Sequence, residues 1–212
     1  MLKLYSYFRS SAAYRVRIAL NLKGLSYEIL PIHLTKEGGE QRRPEYRGIN
    51  PQMRVPALAL SDGEVITQSL AIIEYLDECF PEPGLLPADL VRRAKIRAVA
   101  QAIACDVHPL NNLVVLQYLK RTLQQEQGRI DSWYAHWIAS GFEAIEAMIA
   151  PGPYAFGAEV TLADVCLVPQ LANARRYNVP LEKFPRIVAA DAACQKLAAF
   201  EQARPENQPD AE

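Results

Sequence analysis

Neither sign of charge dominates this sequence: 23 Lys and Arg stand against 24 Asp and Glu, a formal net charge of −1. A nucleic-acid or anionic-membrane partner would favour a basic excess, so neither is expected. No run approaches the roughly 20 apolar residues that span a bilayer. The opening Met1-Leu2-Lys3-Leu4-Tyr5-Ser6-Tyr7 is too short and too polar for a signal peptide and reads as a strand. A cytoplasmic location is the expectation. Cysteine is sparse: Cys79, Cys105, Cys166 and Cys194 are far apart and form no C-x-x-C pair. That spacing argues against a disulfide scaffold or a structural zinc site and for reduced thiols. The three histidines, His33, His108 and His136, are scattered, so no metal site is expected. There is no internal repeat and no low-complexity segment.

What is present is an ordinary globular composition, half hydrophobic, in a chain of 212 residues. That length suits one large domain or two small ones. Two styles of sequence meet near residue 81. Before it, short strands alternate with helices. Leu2 to Tyr7 is a strand. Ser11 to Lys23 has Ala12, Val16, Ala19 and Leu20 at helical spacing and stops at Gly24. Tyr27 to Leu34 is a second strand, bent or at an edge because of Pro31. Lys36 to Asn50 is polar and reads as loop with a short helix. Ala57 to Leu60 and Glu64 to Thr67 flank Ser61-Asp62-Gly63, a hairpin signal. Gln68 to Phe80 returns to helical period and ends at Pro81.

Strand, helix, strand, loop, hairpin, helix is the thioredoxin-like pattern, a parallel βαβ unit with an antiparallel pair added. The expected fold is therefore α/β plus all-α: a thioredoxin-like domain over residues 1–80, a Pro-rich linker over 81–88 and an all-helical domain over 89–212. In the second part, Ala88 to Arg121 reads as one long helix kinked at Pro109. Arg129 to Ile149, with Trp133, Trp137 and Phe142 at core spacing, Thr161 to Tyr177 and Ile187 to Ala203 are three more. Arg204 to Glu212 is expected to fray.

Three short segments could carry chemistry. In Arg9-Ser10-Ser11-Ala12-Ala13-Tyr14-Arg15-Val16-Arg17 a strand ends, two hydroxyls follow and a helix begins. Unpaired N–H groups and the helix dipole at that point stabilise an anion, a thiolate included. Serine there is also an everyday N-cap. In Asn50-Pro51-Gln52-Met53-Arg54-Val55-Pro56, a cis Val55–Pro56 bond would turn the Val55 backbone outward to pair with a peptide; only about 5–6% of X–Pro bonds are cis. Gln68-Ser69 opens another helix and offers either a carboxylate site or simple capping.

Together, R-S-S-x-x-Y-R-V-R-I-A-L-N-L-K-G, N-P-Q-x-x-V-P-A-L and Q-S-L-A-I-I-E-Y-L-D-E resemble the zeta-class glutathione transferases, in this order and spacing. The likeness continues through Cys105-Asp106-Val107-His108-Pro109-Leu110-Asn111-Asn112 and through Thr161-Leu162-Ala163-Asp164, which reads as a structural capping-box variant. It covers residues 1 to 203. The resemblance implies glutathione as cofactor and a homodimer. It implies Ser10 and Ser11 as the catalytic hydroxyl pair, with Ser10 at the glutathione sulfur. The Val55 backbone would pair with the cysteinyl part, and Gln68 and Ser69 would hold the γ-glutamyl end. Arg176 would bind a small-molecule dicarboxylate substrate, and Arg9, beside the serines in sequence, is expected to join it there. Arg15 and Arg17 are expected to be solvated surface charges, and Arg175 is a weaker neighbour of Arg176. Departures are Ala12, where many members have cysteine, Val114, where several have arginine, and Met53-Arg54, where some have lysine and glutamine.

The activity implied is cis–trans isomerisation of an unsaturated diacid, with maleylacetoacetate ahead of maleylpyruvate. A thiolate that adds to a conjugated cis double bond leaves a single bond that can rotate, and its elimination restores the alkene as trans. A general glutathione transferase would use the same site, and a non-catalytic glutathione-binding protein is the non-enzyme alternative. Disulfide exchange is argued against, because Ser10, Ser11, Ala12 and Ala13 contain no cysteine at the strand-to-helix turn.

Overall fold

The computed structural model describes residues 1–212. The chain forms two compact units, Met1–Gly84 together with Gln195–Glu212, and Leu85–Cys194.

The first unit is built on a four-stranded sheet in the order β2-β1-β3-β4. Its strands are β1 (Leu2–Ser6), β2 (Tyr27–Pro31), β3 (Ala57–Ala59) and β4 (Val65–Thr67). β1 pairs parallel with β2, and β3 pairs antiparallel with both β1 and β4. This is the thioredoxin-like arrangement that the alternating pattern implies. The β3–β4 turn closes as expected at Ser61-Asp62-Gly63, where Gly63 takes φ 96°, a region open to glycine at no steric cost. Helix α1 (Ser11–Leu22) follows β1, the short α2 (Pro44–Ile49) lies within the polar loop, and α3 (Ser69–Cys79) follows β4.

Helix α1 is covered almost all round. From Ala13 to Leu20 every residue is buried, Arg15 and Arg17 among them. This overturns the expectation of two solvated arginines. Their neighbours Tyr14, Val16 and Ile18 are core residues, and a helix enclosed on all sides offers no outward face.

In the second unit, α4 (Leu90–Gln101) runs into a π-helical segment, Ala102–Val107, and the single turn α5 (His108–Leu110). The chain then breaks at Asn111-Asn112, whose second side chain accepts the Val114 N–H and starts α6 (Leu113–Arg121). By length and composition alone, Leu90–Arg121 is a stretch able to cross a bilayer. It is interrupted, and it buries Ile96, Val99, Ala100, Ile103 and Val107 as a core helix does. The remaining helices are α7 (Gln127–Met148), α8 (Leu162–Arg176) and α9 (Pro185–Cys194). Phe142 is fully buried, whereas Trp133 and Trp137 are only partly so.

The π segment is packed tightly against α7: a Cβ on Gly141 would overlap Cγ2 of Val107. Gly141→Ala is therefore expected to lower stability by about 1–3 kcal/mol, the usual cost of overpacking. A urea midpoint equal to the parent's would show that the segment yields.

The apolar period from Ile187 to Ala203 reads as one helix, but the structure divides it into α9 and α10 (Ala198–Ala203). The break is where the chain leaves the helical unit and returns to the sheet unit. So the domain reading of 89–212 is corrected: Gln195–Glu212 packs with the first unit, α10 lying along α1. Nor does the end fray. Gln208 is buried, and its amide donates to the carbonyls of Gln202 and Arg204.

Candidate active site

Strand register assembles the site in the first unit. Ala57 is the partner of both Tyr5 and Thr67, and Ser6 is the partner of Pro31. β1 ends, β3 begins and β4 ends at one edge of the sheet. The segments beyond them, Arg9-Ser10-Ser11, Val55-Pro56 and Gln68-Ser69, therefore emerge at the same end. Tyr7, Phe8, Tyr46 and Val55 form one apolar cluster there.

Ser10 is the N-cap of α1. It is extended at φ −72°, ψ 111°, and its Oγ accepts the Ala13 N–H at 3.2 Å. The capping and functional readings coexist, because a hydroxyl can accept with a lone pair and still donate its proton elsewhere. Ser10 is half-buried and Ser11 buried. Arg9 is exposed, its guanidinium 4.9 Å from the Phe8 ring centroid. The first turn of α1 holds no acidic residue to compete for an anion.

The Val55–Pro56 bond is cis. Val55 stands just outside the ladder, which starts at Ala57. The loop before it is fixed by two residues, Asn50 and Tyr46, to which the sequence motifs assign no role. Fully buried Asn50 donates from Nδ2 to the Arg54 carbonyl at 2.8 Å, and its Oδ1 accepts the Gln52 N–H at 3.0 Å. Tyr46 Oη donates to the same Arg54 carbonyl at 2.6 Å, and burial raises the phenol's pKa, keeping it the protonated donor.

Gln68 takes φ 72° and does not cap α3. Its side chain donates instead to Gln52 Oε1 at 2.7 Å. The first-turn N–H groups of α3 are thus left without a side-chain cap from Gln68, and the turn carries no acidic residue. Buried Ser69 accepts from Arg15 Nη1 at 3.3 Å. Two helix N-termini, a residue just outside the β3 ladder and a buried arginine suit a small peptide-like anion.

In the second unit, Arg176 ends α8, exposed, its guanidinium 5.5 Å from the Tyr177 ring centroid. That ring stacks on Tyr134 at 3.6 Å and 9°. Arg175 is committed elsewhere, to the buried Asp191 at 2.6 Å, so its role is structural. Thr161 and Asp164 form the expected capping box at the start of α8.

A family model described as the glutathione S-transferase N-terminal domain matches residues 9–79, and one described as the glutathione S-transferase C-terminal domain matches residues 128–201. The sequence is 48% identical to a maleylacetoacetate isomerase of Pseudomonas aeruginosa, over 99% of this chain and 98% of that protein. Among solved structures it resembles a holo maleylpyruvate isomerase, described as a bacterial zeta-class glutathione S-transferase. The TM-score is 0.95 and the identity 47%, over 99% of this chain and all of that one (100%). It also resembles a maleylacetoacetate isomerase of Anaeromyxobacter dehalogenans with glutathione bound in its active site, at TM-score 0.89 and 42% identity over 100% and 98% of the two chains.

Proposed function

We propose, from the premise that this chain belongs to the zeta-class glutathione S-transferases, that it is a glutathione-dependent cis–trans isomerase converting maleylacetoacetate to fumarylacetoacetate. The observation that carries the reading is the strand register that gathers Ser10, Val55 and Gln68-Ser69 at one end of the sheet. In this reading Ser10, with Ser11 beside it, serves the thiol. Val55 offers its backbone to the cysteinyl residue, and the α3 N-terminus with Gln68 and Ser69 takes the γ-glutamyl carboxylate.

Bound glutathione supplies a thiolate that adds reversibly to the conjugated double bond and so frees it to rotate. The chain's part is electrostatic. An ordinary thiol, with pKa about 8.5, is mostly protonated at neutral pH, and each unit of lowering is worth roughly 1.4 kcal/mol. The Ser10 hydroxyl and the α1 dipole act in that direction. Arg9 and Arg176 hold substrate carboxylate, for which a planar guanidinium is suited by its two-pronged geometry. A homodimer in the cytoplasm completes the reading, with exposed Leu90 and Val91 on α4 as apolar surface for the dimer.

The deciding assay follows fumarylacetoacetate and free thiol, with and without glutathione. Glutathione-dependent trans product with thiol conserved is the expected result. Consumption of thiol would mean a conjugating transferase, and turnover of maleylpyruvate alone would move the substrate to that shorter diacid. Arg176→Ala is expected to lower kcat/KM by about 10- to 100-fold, chiefly through KM, as the loss of one charge-assisted pair requires. An unchanged KM would remove Arg176 from the substrate site.

A further inference from the structure

The turn between β1 and α1 that presents Ser10 is held from outside itself. The fully buried Arg17 is its main clamp. Nη1 donates to Ser6 Oγ at 3.0 Å and to the Tyr7 carbonyl at 3.4 Å, and Nη2 donates to the Phe8 carbonyl at 3.1 Å. Ser10 itself donates its N–H to that same Tyr7 carbonyl at 2.9 Å. The fourth Arg17 bond, from Nε, runs to the carbonyl of Ala203 in α10 at 3.0 Å. Burial lowers the Arg17 pKa to about 10, while Tyr27, Tyr14 and Asp210 act to raise it, so the guanidinium stays charged at neutral pH.

The returning segment reaches the turn a second time. Asp210 Oδ2 accepts the Phe8 N–H at 2.9 Å. Both backbone groups of Phe8 are therefore held, the carbonyl by Arg17 and the N–H by Asp210. Glu212 lies 3.3 Å from His33 Nε2, and the His33 ring meets Tyr7 edge to face at 4.9 Å. The segment is itself anchored by fully buried Phe200 and Ala203 and by Asn21, which donates to the Ala199 carbonyl at 3.0 Å. An exposed strand-to-helix turn is ordinarily mobile, yet this one is fastened at Ser6, Tyr7 and Phe8.

We propose that the C-terminal return segment Gln195–Glu212, acting through Arg17 and Asp210, positions the Ser10 hydroxyl for the glutathione sulfur. This rests on the reading of Ser10 as the thiol's partner. Arg17 and Asp210 touch no reacting atom; they are positioning residues. A group that stabilises developing charge acts only when it is already aimed, and a displacement of about 1 Å costs on the order of a hundredfold in rate.

Asp210→Ala is the discriminating variant, because Asp210 lies outside the apolar core and its loss leaves α10 in place. With glutathione saturating, kcat/KM is expected to fall about tenfold. Its alkaline-rising limb should move up by about one pH unit, which is the same factor in thiolate fraction, while the melting temperature changes little. Asp210→Asn keeps an oxygen that can accept the Phe8 N–H and should restore most of the activity. Ser10→Ala runs beside them as reference. If Ser10→Ala shifts the pH profile and Asp210→Ala leaves it at the parent value, the positioning role is overturned and the Ser10 reading stands. If Asp210→Asn is as impaired as Asp210→Ala, the hydrogen bond is not the cause and the proposal fails. If Ser10→Ala itself behaves as the parent, the Ser10 reading fails and the proposal goes with it.

Discussion

Ser10→Ala is expected to lower glutathione-dependent isomerisation by about a hundredfold, or about 2.7 kcal/mol of transition-state stabilisation. The size follows from what the hydroxyl donates to. A hydrogen bond to a charged group is worth roughly 1.5–3 kcal/mol, and in the proposed reading the recipient is a thiolate at the N-terminus of α1. The loss should be largest near neutral pH and shrink as pH rises, because alkali supplies the thiolate that the protein no longer stabilises. Ultraviolet absorbance of the bound thiolate, titrated against pH, measures this directly. Removing the N-cap also weakens the helix, since Ser10 Oγ accepts the Ala13 N–H, and alanine at such a cap costs about 1 kcal/mol. Ser10→Gly separates the two effects: glycine caps nearly as well but brings no hydroxyl. It should be as inactive as the alanine variant while staying near parental stability. Full activity in Ser10→Gly would show that capping alone was the role of this serine.

The largest effect on stability is expected at Asp164. Its carboxylate is fully buried and accepts three hydrogen bonds: the Ala155 N–H at 2.7 Å, the Thr161 N–H at 2.8 Å and the Thr161 hydroxyl at 2.9 Å. Burial raises its pKa, and its hydrogen bonds only partly offset that. Asp164→Ala leaves two buried backbone N–H groups and a hydroxyl without their acceptor, at roughly 1–3 kcal/mol each before relaxation. We expect a net loss of about 3–5 kcal/mol, enough to lower the melting temperature by about 10 °C in a chain of this size. Asparagine should be intermediate, since its single oxygen can serve only one side of the site. Urea denaturation checks the figure, and a loss under about 1 kcal/mol would show that water replaces the carboxylate. Both variants leave the sheet-end residues untouched, so glutathione binding by the folded fraction should persist.

Much of the first unit was legible in the chain because its signals are local. Asp-Gly between two apolar runs gave the hairpin, and Gly24 marked the end of α1, where it has φ 64°. Ser10 and Gln68-Ser69 sit at helix starts that periodicity alone locates. The long helix after residue 88 was legible in extent but not in form. Pro109 was the expected kink, whereas the interruptions are the π segment at Ala102–Val107 and the break at Asn111-Asn112. Tight packing of Val107 against Gly141 accompanies the first, and the Asn112 cap the second.

By itself, then, the sequence determined the succession of elements, the two styles of domain and the segments able to receive an anion. These depend on residues a few positions apart, and hydrophobic period, turn chemistry and capping act over that range. Tertiary structure alone decided which of those segments share a sheet end, that the Val55–Pro56 bond is cis, that Arg15 and Arg17 are interior, and that the final residues return to the first unit. Each of these depends on partners far along the chain. A guanidinium at position 17 is surface or core according to whether a helix 186 residues later comes back to cover it and accept its hydrogen bond. The apolar face of α10 can be read in the sequence, but the wall it packs against cannot, because non-directional burial records only that a face must be covered and not by what.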